Sequence, residues 1–302
     1  MCATHRGVKS PRLRKLPDPP EDAERAEMPG DPTFHHPSTH PDTAVAPSRS
    51  LPNRALRVLA SSGYGLWLLL GTALALGMYP AGRGDALVPL TLGAVLVSIA
   101  PLAALLRLPQ AQDWLGWRFG RGSRPNRKAM LALVSYLPML GVAGLVRGDN
   151  LFWATRLCAA GLAIASLACL IHALSDDADE RRGPILERIV SAAYGGGLWL
   201  WLCLAAQDGD QPIHSLPWIL VLLLLALLVG GLSWWRAGGW PGRLLVLALV
   251  YLIPGLIVLA QRHEPSGLLL VLAAVSCMVG KSVEARLCGT AGAVDGGVSR
   301  SV

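Results

Sequence analysis

Eight apolar runs, each ended by polar residues, constrain this chain more than any other feature it has. They cover residues 59–79, 87–106, 129–146, 151–174, 189–206, 216–235, 244–260 and 267–283, so each holds 17 to 24 residues. A helix needs about 20 residues to cross a hydrocarbon core of roughly 30 Å. In lipid an irregular chain would leave its amides unpaired, so only helices satisfy runs of this length. The expectation is an all-α polytopic membrane protein built as a bundle of eight transmembrane helices, the last two runs being the shortest. Glycine and proline inside the runs do not oppose this. Small residues let membrane helices approach closely, so GYGLWLLLG and YGGGLWLWL read as packing faces. Trp67, Trp153, Trp199, Trp201, Trp218, Trp234, Trp235 and Tyr79 mostly fall near run ends, as aromatic belts at the two membrane interfaces predict.

Composition agrees. The chain is 52% hydrophobic and 16% charged, with mean hydropathy +0.44. Soluble domains are about one quarter charged. The net charge of +7 sits in loops and in a tail between apolar runs, which suits a membrane better than nucleic acid. The cysteines Cys2, Cys158, Cys169, Cys203, Cys277 and Cys288 form no Cys-x-x-Cys pair and no metal-site spacing. They read as small buried hydrophobes, and no metal site is expected.

Three segments follow from the pattern: a tail at 1–54, a transmembrane domain at 55–288 and a flexible C-terminal tail at 289–302. The N-terminal tail is rich in Pro, Arg, Asp, Ser and His and lacks apolar periodicity, so disorder is expected. Its HHPSTH stretch (35–40) reads as part of a floppy tail. No apolar core follows the basic start, so no signal peptide is expected. A break in composition this sharp is what a true translation start near Leu51 would produce; a natural peptide upstream of residue 50, found by mass spectrometry, would overturn that expectation.

Basic residues near helix ends set orientation. The loop after the second run carries Arg107, Arg118, Arg121, Arg124, Arg127 and Lys128, with Trp114 and Trp117 between them. The loop after the fourth carries Arg181, Arg182 and Arg188, and that after the sixth Arg236 and Arg243. The odd loops carry only Arg83, Arg147 and Arg262. The even loops are therefore expected in the cytoplasm of a bacterial inner membrane, with Trp114 and Trp117 at headgroup level. Both termini are expected on the periplasmic side, although the tail near the first run is itself basic. In this reading Arg107, Arg118, Arg121 and Arg124 hold topology or dock a partner.

Ionisable residues inside the membrane are functional candidates. Arg156 and His172 lie near opposite ends of the fourth run, and Lys281, Glu284 and Arg286 close the eighth. Arg156 and Lys281 are expected to snorkel to the interface. Lys281 and Glu284, three apart, can pair on one helix face. His172 is the single His in any apolar run, so a haem held by two His is not supplied from the helices. It reads as an interfacial His or as a hydrogen-bond partner for quinone. The acidic loop SDDADE (175–180) reads as a solvated turn. No chain of membrane-buried carboxylates and no inverted repeat with broken helices argues for transport.

Three stretches together resemble one family. ASSGYGLWLLLG (60–71), LLRLPQAQDWLGWRFGRGSRPNRKAMLALVSYLP (105–138) and LACLIHALSDD (167–177) resemble the membrane anchor subunit of the dimethyl sulfoxide reductase type of molybdoenzyme. The resemblance runs over roughly 55–290. It implies eight helices, external termini, and a complex with an iron–sulfur electron-transfer subunit and a molybdopterin catalytic subunit. It implies electrons drawn from menaquinol or ubiquinol, with no cofactor bound directly by the anchor. Pro109, Trp114 and Arg127 match the family's pattern. Leu105 stands where the family has His, Lys128 where it has Glu, and His172 where it has Tyr. His172, Trp114, Arg127 and Lys128 are thus the candidates for a quinol pocket, in which two protons and two electrons must leave the quinol. Leu105 can take no proton and Lys128 reverses a charge. The chain therefore reads as a divergent anchor subunit rather than an enzyme by itself. The alternatives are a membrane scaffold or assembly protein without a redox role, and a small-molecule transporter.

Overall fold

The computed structural model describes residues 51–79, 84–106, 114–117, 124–148, 152–174, 185–207, 216–237, 241–260 and 266–298. HHPSTH, SDDADE, Arg107, Arg118 and Arg121 lie outside them. Among the described residues the chain forms eight helical rods and no named strand. They are α1 (Leu51–Leu76), α2 (Leu87–Leu105), α3 (Arg127–Leu145), α4 (Trp153–Ala173), α5 (Ile185–Gln207), α6 (Leu216–Ala237), α7 (Pro241–Leu247, then Ala248–Leu252 and Ile253–Ala260) and α8 (Gly267–Val298). Seven of them are long and apolar enough to cross a membrane. The eighth expected span corresponds to α6, whose fully described apolar part is the shorter Trp218–Leu232. α8 continues as helix beyond residue 288, as far as Val298.

Proline explains the irregular places. Pro138 cannot donate to the Val134 carbonyl one turn before it, and α3 is broken at Ser135, between Arg127–Val134 and Tyr136–Leu145. Pro254 likewise frees the Val250 carbonyl, and there α7 widens into a π turn at Ala248–Leu252. The orphaned Val250 carbonyl accepts a hydrogen bond of 3.0 Å from the Tyr194 hydroxyl of α5. A freed backbone acceptor in an apolar interior needs such a partner.

Two helices sit at the centre, α1 and α5. A Cβ on Gly65 would overlap the Ala192 carbonyl, and one on Gly196 would overlap the backbone of Gly65 and Leu66. Glycine is thus required at this crossing because the backbones themselves touch. Gly71 faces Ala159 and Ala163 of α4 in the same way. Around this pair lie two apolar cores. One gathers Tyr64, Trp67, Leu70, Leu90, Leu162 and Cys169 from α1, α2 and α4. The other gathers Tyr194, Trp201, Ile219, Val250, Leu270 and Cys277 from α5 to α8. The outer faces are apolar too: Leu137 is 67%, Ile164 69% and Leu268 77% exposed. A water-soluble bundle would not leave large side chains so open on its helices; hydrocarbon accepts them. The arrangement is that of a multi-pass helical membrane protein.

One expectation is corrected. Trp67 and Trp201 are fully buried rather than set in an interfacial belt. Trp67 lies in the notch left by Gly93, where its indole N–H donates to the Leu90 carbonyl at 3.1 Å. The helix ends themselves sort into two groups. At one end of the bundle Arg156 reaches the Ala75 carbonyl, Gly84 bonds Val146, Tyr79 bonds Gln207, and Gln207 bonds the Asp85 carbonyl. That end therefore gathers the odd connections. With α1 antiparallel to α2 (Gly63 meets Leu96 and Val97, while Trp67 meets Leu90), the start of α1 belongs to the other end, with the even loops. An even number of helices returns the end of α8 to that same end. Arg57, near the start of α1, then lies at the end of the bundle with the even loops.

Candidate functional site

The connection from α2 to α3 is the long one, with 106–126 between the two helices. Its described centre is a tight hairpin. Trp114 and Trp117 exchange two backbone hydrogen bonds, of 3.0 and 2.8 Å. Leu115 and Gly116 between them take φ of 53° and 82°, the pair of positive values that a two-residue type I′ turn requires. Glycine adopts this freely; Leu115 does so at a cost of order 1 kcal/mol or more. Asn126 holds the strained turn in place. Its Nδ2 donates to the Leu115 carbonyl at 2.6 Å, while its Oδ1 accepts from the Ala129 amide at 2.8 Å and caps α3. One side chain thus ties the loop to the helix.

The hairpin is seated as a wedge. Trp114 is 7% exposed and packs with Ala104 of α2 and with Ala129 and Ala132 of α3. Alanines leave room there for the indole, so the ring clamps two helix ends rather than floating among headgroups. Trp117 is half-buried beside it. Arg124 and Arg127 are exposed and Lys128 is half-buried. Arg124, Arg127 and Lys128 thus flank the hairpin at the start of α3.

His172 lies on the last turn of α4, which widens into a π turn at Cys169–Ala173 and closes with Leu174 N–H on the Cys169 carbonyl at 3.0 Å. That turn packs on the first part of α3, where the Cys169 thiol meets the Leu131 carbonyl at 3.7 Å. His172 is exposed. Trp114, Arg127, Lys128 and His172 thus all belong to the end of the bundle with the even loops. Leu105, where the resembled family supplies His, is 58% exposed and apolar.

The other expected polar positions separate. Arg156 belongs to the opposite end, its Nε donating to Ala75 at 2.9 Å. Lys281 and Glu284 pair at 2.8 Å on α8, both shielded at 16% and 18% exposure. The Lys281 ammonium also lies 6.0 Å from the centre of the Tyr251 ring, within reach of the ring's negative face. Cys169, Cys203 and Cys277 are buried thiols and Cys158 is half-buried. Among the described residues no three His, Cys, Asp or Glu side chains gather as metal ligands.

Sequence reading missed the two tyrosine clusters in the cores. Tyr136 shares a 2.8 Å hydrogen bond with Ser98 and meets the edge of Trp67 at 5.7 Å, while Tyr64 pairs with Ser135 and Cys169. Tyr194 stacks on Tyr251 at 6.1 Å, and Tyr251 donates to the Ala226 carbonyl at 3.2 Å. Polar hydroxyls in the middle of apolar runs were the available signal. No family, curated protein or solved structure matches this chain. The class the fold defines is therefore the multi-pass helical membrane protein, and function rests on the geometry alone.

Proposed function

We propose that this chain is a membrane anchor, a bundle that holds a peripheral partner at the end bearing the Trp114–Trp117 hairpin. The observation that carries the reading is the construction of that hairpin, a strained turn wedged between two helix ends and pinned by Asn126. A loop that only joined two spans would need no such fixation. A rigid, tryptophan-bearing, basic platform has the make-up of a docking surface for an acidic partner. The partner of the right class is an iron–sulfur electron-transfer subunit with its molybdopterin catalytic subunit, as the resemblance implies. By the charge rule the platform and both termini face the cytoplasm of a bacterial inner membrane.

A quinol site is not part of this proposal. His172 and Lys128 are at hand, but Leu105 offers no proton acceptor where one is needed and is exposed rather than set against them. No electron-transfer step is assigned to this chain.

The test is a pulldown of the tagged chain from its native membranes in mild detergent, with partners identified by mass spectrometry. Recovery of an iron–sulfur protein with a molybdoenzyme, lost when Arg124→Glu and Arg127→Glu are combined, is the expected result. A preparation free of both would overturn the anchor reading and bring the scaffold and transporter alternatives forward.

A further inference from the structure

We infer that the bundle is a tandem duplication: α1–α4 and α5–α8 are two copies of one four-helix unit, and the α1 face that receives α5 is a surface made for a second copy of that unit. The inference stands whether or not the chain is an anchor.

The first support is a repeat in the sequence. LRVLASSGYG (56–65) in α1 matches LERIVSAAYG (186–195) in α5 at a shift of 130, with Leu, Ser, Tyr and Gly in common. PNRKAMLALVSYLP (125–138), which starts α3, matches PGRLLVLALVYLIP (241–254), which starts α7, at a shift of 116. Seven of its 14 positions are identical, including both prolines and the arginine. Leu-Ala-Leu-Val alone would mean little in so apolar a chain. Pro, Arg and Pro in register with it mean more. In the fourth helices Cys169 corresponds to Cys277 at a shift of 108.

The second support is geometric. At the central crossing Gly65 meets Ala192, and Gly195 meets Ser62. With the shift of 130, Gly195 is the counterpart of Gly65 and Ala192 the counterpart of Ser62. The two contacts pair the same positions with their order exchanged, as a twofold does in an isologous interface, though Gly65 meets backbone and Gly195 only the Ser62 side chain. The shift in loop length between the second and third helices does not touch this argument, because both residues of each pair lie in α1 and α5.

The hydrogen bonds repeat as well. In each half a tyrosine of the third helix reaches the second helix, Tyr136 to the Ser98 side chain at 2.8 Å and Tyr251 to the Ala226 carbonyl at 3.2 Å, although at the shift of 116 the two tyrosines stand one residue apart. In each half the tyrosine of the first helix lies against the third: Tyr64 beside Ser135, and Tyr194 donating to the Val250 carbonyl, one residue from the counterpart of Ser135. In each half the cysteine of the fourth helix and that first-helix tyrosine belong to one apolar core. The units hold four helices each, so the second copy enters the membrane in the same direction as the first. The twofold then runs along the bundle, as in parallel repeats, and not in the plane of the membrane.

One exchange of bulk shows the same correspondence. In the first half Trp67 fills the notch at Gly93. In the second half Gly197 stands at the Trp67 position, and Leu222, which holds the Gly93 position when α2 and α6 are counted from their starts at Leu87 and Leu216, fills part of the space against it. The two halves solve one packing problem with large and small residues traded between helices.

The experiment transplants the first solution into the second half of the full chain. Gly197→Trp, Leu222→Gly and the double variant are melted in detergent beside the parent. Either single substitution is expected to lower Tm, by overpacking or by a cavity, and the double variant to regain more than half of the larger loss. A double variant as unstable as the two losses added together would overturn the equivalence. If Gly197→Trp does not express at all, a second measurement decides. Ser62→Cys with Gly195→Cys is made in a chain carrying a protease site within 175–184. A Cβ on Gly195 would lie 3.7 Å from that of Ser62, inside the range of about 3.5–4.5 Å that a disulfide spans. After cleavage the two halves are expected to migrate together without reductant and apart with it. Halves that separate in both conditions would overturn the isologous crossing.

Discussion

The two halves of this bundle share a plan and differ at their edges. Each places a tyrosine from its first helix against its third, a tyrosine from its third against its second, and a buried cysteine from its fourth in the same apolar core. The first half then carries 106–126 between its second and third helices, where the second half has only 238–240. The second half carries a shielded Lys281–Glu284 pair on its last helix, close to where the first half has the exposed His172. Interior plan is held in common because close packing leaves little room for change. The ends of helices, facing water and partners, are free to diverge, so function is to be sought in the hairpin and not in the shared core.

The comparison breaks most completely at its axis. Gly196→Leu puts a side chain into the backbone of α1, which cannot move aside as a flexible side chain would. The expected result is loss of monodisperse protein in fluorescence-detected gel filtration. Gly231→Leu, at a position with nothing within 4 Å, is the control and is expected to behave as the parent. Equal profiles for the two would show that the halves do not meet at this crossing.

The charged pair comes next. Glu284→Gln strands the Lys281 ammonium in a shielded site, at a cost of roughly 3–5 kcal/mol for a fully buried pair and less here, with part of each side chain open. Adding Lys281→Met removes the stranded charge, and Tm is expected to return close to that of the parent. If the single variant melts like the parent, the pair is an ordinary solvated one and does not distinguish the halves.

A milder and more searching pair is Tyr136→Phe and Tyr251→Phe. Each removes one hydroxyl hydrogen bond, worth about 1 kcal/mol. Equivalent sites predict small Tm losses of similar size. Losses that differ severalfold would show that one tyrosine does work its counterpart does not.

The smallest effect is local. Asn126→Ala removes the cap of α3 and the tie to Leu115, together about 1–2 kcal/mol. Global Tm should fall only slightly. Hydrogen exchange at the Trp114–Trp117 turn should rise by an order of magnitude or more, and partner recovery should fall with it. Unchanged exchange would show that the hairpin holds its shape without Asn126.

Much of this was open to reading in the residues. Run length alone implied the helices, because a bilayer admits few other structures. GYGLWLLLG and YGGGLWLWL marked the close helix approach at α1 and α5. The spacing of Lys281 and Glu284 implied their pairing. The duplication was also written there, in PNRKAMLALVSYLP and PGRLLVLALVYLIP, but the unequal connections between second and third helices shift its pieces by different amounts and hide it from a single-period search. Of the candidate site, its basic charge and its tryptophans were visible, but not its construction.

The sequence by itself determined the class of protein, the number of helical runs and where glycine lets backbones touch, since these follow from length, hydropathy and side-chain size along the chain. Only the tertiary structure decided that Trp67 and Trp201 lie in the cores and that Trp114 wedges two helix ends. Those outcomes depend on which helix faces which. Tryptophan is at home at a membrane interface and in an apolar core alike, so only a neighbour of the right size, such as Gly93 for Trp67 or Ala129 for Trp114, selects between the two.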